Sequence, residues 1–89
     1  MGTFHTGKSE LHGITVVVET KSDDLYVGRC DDMDDREVIL LDADVHHAAD
    51  ETPREQYLAN AAQWGVFAKH RRLVIDVEQV VSVRRLGEL

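Results

Sequence analysis

The sequence predicts a mainly β fold: five short antiparallel strands bend strongly into a small barrel, and one α-helix is inserted between the third and fourth strands. Three observations lead to this prediction. The apolar residues fall in short runs rich in Val, Ile and Leu, a single segment has helical periodicity, and strands do not alternate with helices as in parallel sheets. Bending into a barrel also removes the unpaired edges of an open sheet.

The first two strands are predicted at residues 14–20 and 25–30, on either side of a polar turn. The first strand is rich in β-branched residues, which suit a pleated surface. Gly28 stands inside the second strand, where a glycine often marks a bulge or a close approach of two backbones. Residues 1–12 show little periodicity and are predicted to form a loose N-terminal arm.

The third strand is predicted at residues 37–42, after an acidic segment at residues 31–35. Four aspartates make that segment too acidic and turn-prone for the interior of a strand. The third strand itself is apolar on both faces, which is typical of a central strand that is covered on both sides.

The helix is predicted at residues 53–64. Thr52 at the cap, Pro53 at the first helical position and Glu55 three residues after the cap form a capping box. An apolar stripe follows at three- and four-residue spacing, and Gly65 ends the helix. We expect this stripe to be packed, and its members are Tyr57, Leu58, Ala61 and Trp64.

The last two strands are predicted at residues 73–77 and 80–86, joined by a very short turn at Glu78 and Gln79. At 89 residues the chain has room for one domain, and it contains no repeat and no linker. Residues 1–89 are therefore predicted to form a single domain.

Charge and cysteine content narrow the classes of function. The formal net charge is −7; residues 1–60 hold 14 acidic and 5 basic side chains, and residues 61–89 hold 3 acidic and 5 basic ones. An acidic chain repels phosphate backbones unless its basic residues cluster on one face. The apolar runs are too short to span a membrane, and a single cysteine with no secretion signal near Met1 predicts a cytoplasmic protein.

No motif in the sequence predicts an enzyme or a cofactor, since there is no phosphate-binding glycine loop and no serine elbow. Cys30 lies beside Asp31 and Asp32, whose negative charges disfavour a thiolate, so a buried packing role is expected. His46 and His47 offer a weak alternative, a metal site in a small metal-dependent enzyme. Neighbouring side chains on an extended segment point to opposite sides, so both rarely reach one metal.

The order of these features resembles the Sm-like (LSm) proteins. The first motif of that family corresponds to residues 16–42, with Gly28 at the family's strand-two glycine and Asp34 at its loop aspartate. The second motif corresponds to residues 73–83. This resemblance implies the strongly bent, SH3-like form of the small barrel.

Three residues depart from the pattern of the Sm-like proteins that bind uridine-rich RNA. Glu37 stands where those proteins carry an Asn, and Asp76 with Val77 stands where they carry an Arg-Gly pair. A carboxylate offers no amide donor, and it repels phosphate. The usual RNA pocket is therefore predicted to be altered.

The resemblance also implies a cyclic homo-oligomer, in which the last two strands pair between neighbouring subunits. The leading hypothesis is a non-enzymatic ring subunit that acts as a scaffold or as a binding module on a ring face. The predicted interface residues are Leu73, Val74, Ile75, Val80, Val81 and Val83.

The alternative hypothesis keeps the fold and adds RNA as a partner. Tyr26 is the best candidate for stacking on bases if its ring faces outward. The candidate phosphate-binding residues form a basic cluster, namely Lys69, Arg71, Arg72, Arg84 and Arg85.

Overall fold

The computed structural model describes residues 11–89, so the predicted arm at residues 1–12 lies almost entirely outside the described residues. The strands are β1 (Thr15–Thr20), β2 (Leu25–Met33), β3 (Glu37–His46), β4 (His70–Asp76) and β5 (Val80–Arg85), and the helix α1 spans Arg54–Trp64. Short 3₁₀ turns follow at Val77–Gln79 and Leu86–Glu88. The prediction of a mainly β fold with one helix between the third and fourth strands is confirmed.

All five strands belong to one antiparallel sheet in the order β4-β3-β2-β1-β5. The last strand returns to the first, so that Val16 lies opposite Arg85 and Val18 opposite Val83. The 3₁₀ turn between β4 and β5 is capped by Asp76, whose carboxylate accepts a hydrogen bond of 3.0 Å from the N–H of Glu78. In this strand order, β4 and β5 are the two edges of the sheet within the described residues.

The sheet buries side chains on both faces. Val16, Val17 and Val18 are all fully buried, although successive side chains of a strand point to opposite faces. The inner core, on one face, contains Val16, Val18, Cys30, Met33, Val38, Leu40, Ala43 and Ile75. The helix core, on the other face beneath α1, contains Val17, Leu25, Val27, Ala61 and Leu86. The buried position expected for Cys30 is confirmed.

Gly28 marks an irregularity in the sheet, as its position in the sequence predicts. The pairing of β2 with β3 shifts register between Val27 and Arg29. A Cβ atom added to Gly28 would lie 2.7 Å from the Cβ of Ala43, closer than such atoms approach in proteins. Between the same two pairs, β3 has two residues, Asp42 and Ala43, opposite the single Gly28, and Asp42 has a left-handed φ of 50°. Only glycine allows the two strands to approach this closely.

The acidic segment at residues 31–35 is not entirely a turn, and that prediction is wrong for its first half. Strand β2 continues to Met33, and Asp32 pairs with Ile39 of β3. The neighbouring strand supplies the pairing, and the aspartate side chains remain partly exposed. The turn begins only at Asp34, whose carboxylate accepts hydrogen bonds from the N–H groups of Arg36 and Glu37 at 2.8 and 2.9 Å.

Strand β3 is central in the sheet but is not covered equally on both sides. Val38 and Leu40 are fully buried in the inner core, whereas Ile39 and Leu41 are only half-buried. The helix core contains residues of β1 and β2, which leaves this part of the outer face uncovered. Strand β4 also begins three residues earlier than predicted, at His70, so the basic residues before Leu73 belong to the strand.

The helix begins one residue later than predicted, and the prediction of a capping box is wrong. Pro53 has an extended conformation, with φ −61° and ψ 151°, and no side chain caps the helix. Thr52 therefore lies one residue too early to act as the cap, and its carbonyl oxygen instead accepts a hydrogen bond from Nε2 of His46 at 2.6 Å. The end is as predicted: Gly65 has a φ of 96°, and its N–H donates to the carbonyl of Ala61 at 2.9 Å.

Candidate functional site

The two edge strands expose one large apolar side chain each. Val74 on β4 is 47% exposed, and Val81 on β5 is 62% exposed. The other four residues of the predicted interface set pack against or within the inner core, so their side chains are not free for a partner. They are Leu73, Ile75, Val80 and Val83. Side chains alternate between the faces of a strand, so only part of each apolar run reaches the surface.

The predicted basic cluster is divided between the two edges of the sheet. Arg84 and Arg85 lie on β5 and form ion pairs with Glu19 and Glu88, at 3.3 and 3.1 Å. Lys69 precedes β4, and its Nζ lies 3.9 Å from Oδ1 of Asp44. Arg71 and Arg72 are both exposed on β4, and within residues 11–89 no carboxylate forms an ion pair with either of them. The charges of Lys69, Arg84 and Arg85 are partly neutralised by their carboxylate partners. The five residues therefore do not form one cluster of unpaired cations in the structure.

Tyr26 is half-buried and packs against the inner core, so it is not the fully exposed stacking platform considered from the sequence. It lines a cavity of about 510 Å³ near the ends of β1, β3 and β4. Both apolar and polar side chains line it. They include Thr20, Val45, His47, His70, Leu73, Ile75 and Gln79.

His46 and His47 point to opposite sides of the chain, as their adjacent positions predict. His46 is only 4% exposed, and its ring centroid lies 4.8 Å from that of Tyr57. His47 is exposed, and its Nδ1 lies 3.1 Å from a carboxylate oxygen of Asp24. Within residues 11–89, no group of three or more His, Cys, Asp or Glu side chains is arranged to hold a metal ion.

A buried polar cluster under the helix was not predicted from the sequence. The hydroxyl of Tyr57 donates a 2.9 Å hydrogen bond to Oδ2 of Asp44, which is 6% exposed. Oδ1 of Asp44 and Nδ1 of His46 are buried and have no hydrogen-bond partner among the described residues. Burial and the carboxylate of Asp44 raise the pKa of Tyr57 above its ordinary value of 10.0. The spacing of Asp44 and His46, two residues apart on one strand, is the sequence signal that places both on one face.

Two aromatic side chains at and after the end of α1 are exposed, and for Trp64 this contradicts the predicted packing of the helix stripe. Trp64, the last residue of α1, is 77% exposed, and Phe67 in the segment that follows is 76% exposed. Ala61 is the buried member of the stripe, and Tyr57 and Leu58 pack against the helix core.

Comparison of the chain with protein-family models and with curated proteins found no match. No helix among residues 11–89 is long and apolar enough to cross a membrane. The function is therefore inferred from the geometry of the edge strands.

Proposed function

We propose that this protein is a bent, Sm-like small barrel whose subunits assemble side by side into a cyclic homo-oligomer, and that the assembly serves as a scaffold. The observation that carries the proposal is the position of β4 and β5 at the two edges of one antiparallel sheet. An edge strand presents backbone N–H and C=O groups that can pair with another strand. Each edge also carries an exposed valine, Val74 or Val81.

The two edges favour a ring over a symmetric dimer. They are different surfaces of one subunit, so β4 of one copy pairs with β5 of the next in a heterologous contact. Such contacts repeat around a cycle and close when the rotation between subunits allows it. Val74 and Val81 then meet across the new pair of strands and lose exposed apolar surface.

Charge does not oppose this pairing as strongly as the sequence alone indicates. Arg71 and Arg72 on β4 approach Arg84 and Arg85 on β5 of the neighbouring subunit. Like charges on paired strands are destabilising. Within each subunit, however, Glu19 and Glu88 already form ion pairs with the two arginines of β5, which lowers the positive charge of that edge.

The proposal does not include the uridine-rich RNA pocket of the Sm-like family. Glu37 and Asp76, which stand at positions where RNA-binding members carry other residues, lie directly opposite each other on β3 and β4. A cavity of about 500 Å³ at this place is also lined by Asp35 and Glu78. These four carboxylates outnumber Arg36, the one cation among the described residues that line the same cavity, so the cavity as a whole repels phosphate. A scaffold role is therefore better supported than RNA binding at this pocket.

The proposal is tested by the absolute mass in solution, measured by light scattering after size exclusion at low and high salt. We expect one discrete mass that is an integer multiple of the 10.0 kDa subunit. A mass near 10.0 kDa at micromolar concentration would mean that β4 and β5 do not pair with strands of another subunit, and the proposal would then be withdrawn.

A matched pair of variants locates the contact. Val81→Lys adds a charge to the exposed face of β5, and we expect it to lower the mass toward that of the monomer. Gln63→Lys adds the same charge to an exposed position of α1, which is not part of either edge strand, and should leave the mass unchanged. Equal behaviour of the two variants would show that the β5 edge does not form the contact.

A further inference from the structure

The cavity of about 510 Å³ near the ends of β1, β3 and β4 has the size of a small-molecule site. Such sites have volumes of about 300–1,000 Å³ and combine apolar walls with a few polar groups. The apolar residues that line this cavity include Tyr26, Val45, Leu73 and Ile75. A ligand with an apolar body would therefore lose exposed apolar surface on entering it.

Three polar side chains of the lining have no partner within the described part of the chain. The hydroxyl of Tyr26, the imidazole of His70 and the amide of Gln79 make no hydrogen bond to another residue among residues 11–89. Each of these groups, with the imidazole neutral, has an atom that accepts a hydrogen bond. They are therefore available to a ligand that brings its own donors.

The charges around the cavity favour a cation over an anion. No Lys or Arg of the described residues lines it, whereas Asp76 does. Oδ1 of Asp76 accepts the 3.0 Å hydrogen bond from the N–H of Glu78, and Oδ2 has no partner within residues 11–89. His47, also in the lining, already has a carboxylate partner in Asp24 at 3.1 Å. The net charge of −7 attracts cations from a distance as well.

We propose that this cavity binds a small aromatic amine, whose ring packs among the apolar residues and whose ammonium group pairs with Asp76. An ammonium group has three N–H donors, which suit one carboxylate and the acceptors of His70 and Gln79. The ring of Tyr26 adds a face that attracts a cation. Phosphates and carboxylates are excluded as ligands because the lining offers them no Lys or Arg. The cavity is formed by one subunit, so the inference does not rest on ring assembly.

Three probes of similar size test the charge of the ligand: phenethylamine is a cation, phenylethyl alcohol is neutral and phenylacetate is an anion. Each is titrated into the isotope-labelled full chain at about pH 8, where alkylamines are charged and histidines are mostly neutral. We expect saturable NMR shifts at the amides of Tyr26 and Leu73 with the amine, binding of the alcohol that is about fivefold weaker, and no binding of phenylacetate. Absence of saturable shifts with the amine would overturn the proposal. Equally tight binding of the alcohol or of phenylacetate would show that charge does not select the ligand, and would also overturn it.

A matched pair of variants tests the role of Asp76. Asp76→Asn removes the charge but keeps an oxygen for the N–H of Glu78, and it should weaken binding of the amine about fivefold without changing binding of the alcohol. Glu78→Gln removes the same charge from a residue that does not line this cavity, and its effect should stay below about twofold. Equal losses in the two variants would mean that overall charge, and not Asp76, attracts the amine.

Val45→Phe tests the location by filling the cavity. We expect this variant to weaken binding of the amine and of the alcohol together, because the added ring occupies the space of the ligand's ring. Unchanged affinities in the folded variant would place the ligand elsewhere and contradict the assignment. If Val45→Phe does not fold, the comparison of Asp76→Asn with Glu78→Gln still decides the proposal.

Discussion

The phenolic hydroxyl of Tyr57 donates a hydrogen bond of 2.9 Å to Oδ2 of Asp44 and so joins the inserted helix to the central strand β3. The same carboxylate has a second oxygen, Oδ1, that is buried without a hydrogen-bond partner in the described part of the chain. One hydroxyl group is therefore the main hydrogen-bond donor to a buried charge. This bond links the helix to the sheet in addition to the apolar contacts of the helix core.

Tyr57→Phe should lower the free energy of unfolding by about 1–3 kcal/mol, because it leaves the carboxylate of Asp44 without its hydroxyl donor. Urea unfolding followed by circular dichroism measures the change. Tyr26→Phe is the matched control, since the hydroxyl of Tyr26 makes no hydrogen bond within residues 11–89 and its removal should cost little. Equal losses in the two variants would show that the bond to Asp44 contributes nothing.

Stability should also fall at alkaline pH because of Tyr57. Burial and the carboxylate of Asp44 raise the pKa of Tyr57 above 10.0, the ordinary value that applies to the unfolded chain. Above that pH the unfolded chain loses the proton while the folded protein retains it, so rising pH favours unfolding. The stability difference between the wild type and Tyr57→Phe is therefore complete below pH 10.0 and decreases above it. Parallel pH curves for the two proteins would contradict this assignment.

Gly28→Ala should destabilise the sheet by about 1–3 kcal/mol, because the added methyl group meets Ala43. The new Cβ would lie 2.7 Å from the Cβ of Ala43 and 3.1 Å from the carbonyl oxygen of Leu41. Gly87→Ala is the control, since nothing lies within 4 Å of a Cβ at that position. Adding Ala43→Gly to Gly28→Ala should restore part of the loss, and thermal unfolding of the four proteins measures it. No rescue would mean that another contact is responsible.

Two apolar residues of the helix stripe, Leu58 and Trp64, should respond differently to truncation. Leu58 packs against the helix core, so Leu58→Ala should lower the free energy of unfolding by about 2 kcal/mol. Trp64→Ala removes a far larger side chain but should change stability by less than about 0.5 kcal/mol, because the indole is exposed. A loss on truncation of Trp64 as large as that at Leu58 would show that the indole is packed after all.

Asp34 should act as an acceptor that fixes the turn between β2 and β3. Hydrogen bonds from the N–H groups of Arg36 and Glu37 lower the pKa of Asp34 below its ordinary value of 3.8. The carboxylate therefore stabilises the fold above pH 3.8, and this contribution is lost as the pH falls through the lowered pKa. Asp34→Ala should lower the melting temperature more than Asp34→Asn, which keeps an acceptor oxygen. The reverse order would show that the bonds to the turn are not what Asp34 contributes.

The elements that depend on local chain preference were predictable from the sequence. The five strands and the helix follow from the runs of β-branched residues and from the periodic stripe, and Gly28 and Gly65 mark the bulge and the helix end as expected. One error is local, the capping box at Thr52, which the structure does not form. Another lies where a neighbouring strand decides the outcome. Asp31 and Asp32 are poor strand residues, yet β3 pairs with this segment and extends β2 through it.

The candidate site was predictable only in part, because it depends on which elements become neighbours. The sequence prediction grouped Arg71 and Arg72 with Arg84 and Arg85 in one basic cluster. In the sheet, β4 and β5 lie at opposite edges, so the first pair of arginines is separated from the second. The helical spacing of Trp64 indicated a packed stripe, but in the structure its side chain is exposed at the last residue of α1. The contact of Tyr57 with Asp44 joins residues from two elements and has no signal in either one alone.

The return of β5 to β1 has a consequence for the order in which the chain folds. The pairing of Val16 with Arg85 joins positions near the two ends of the described sequence, whereas β1, β2 and β3 follow one another as neighbouring hairpins. Bringing distant segments together costs more chain entropy, so the hairpins should form early and β5 should dock last. Until it docks, β1 is an open edge with three consecutive valines. An open edge of this kind can pair with another chain, so slow docking of β5 favours aggregation of the newly made protein.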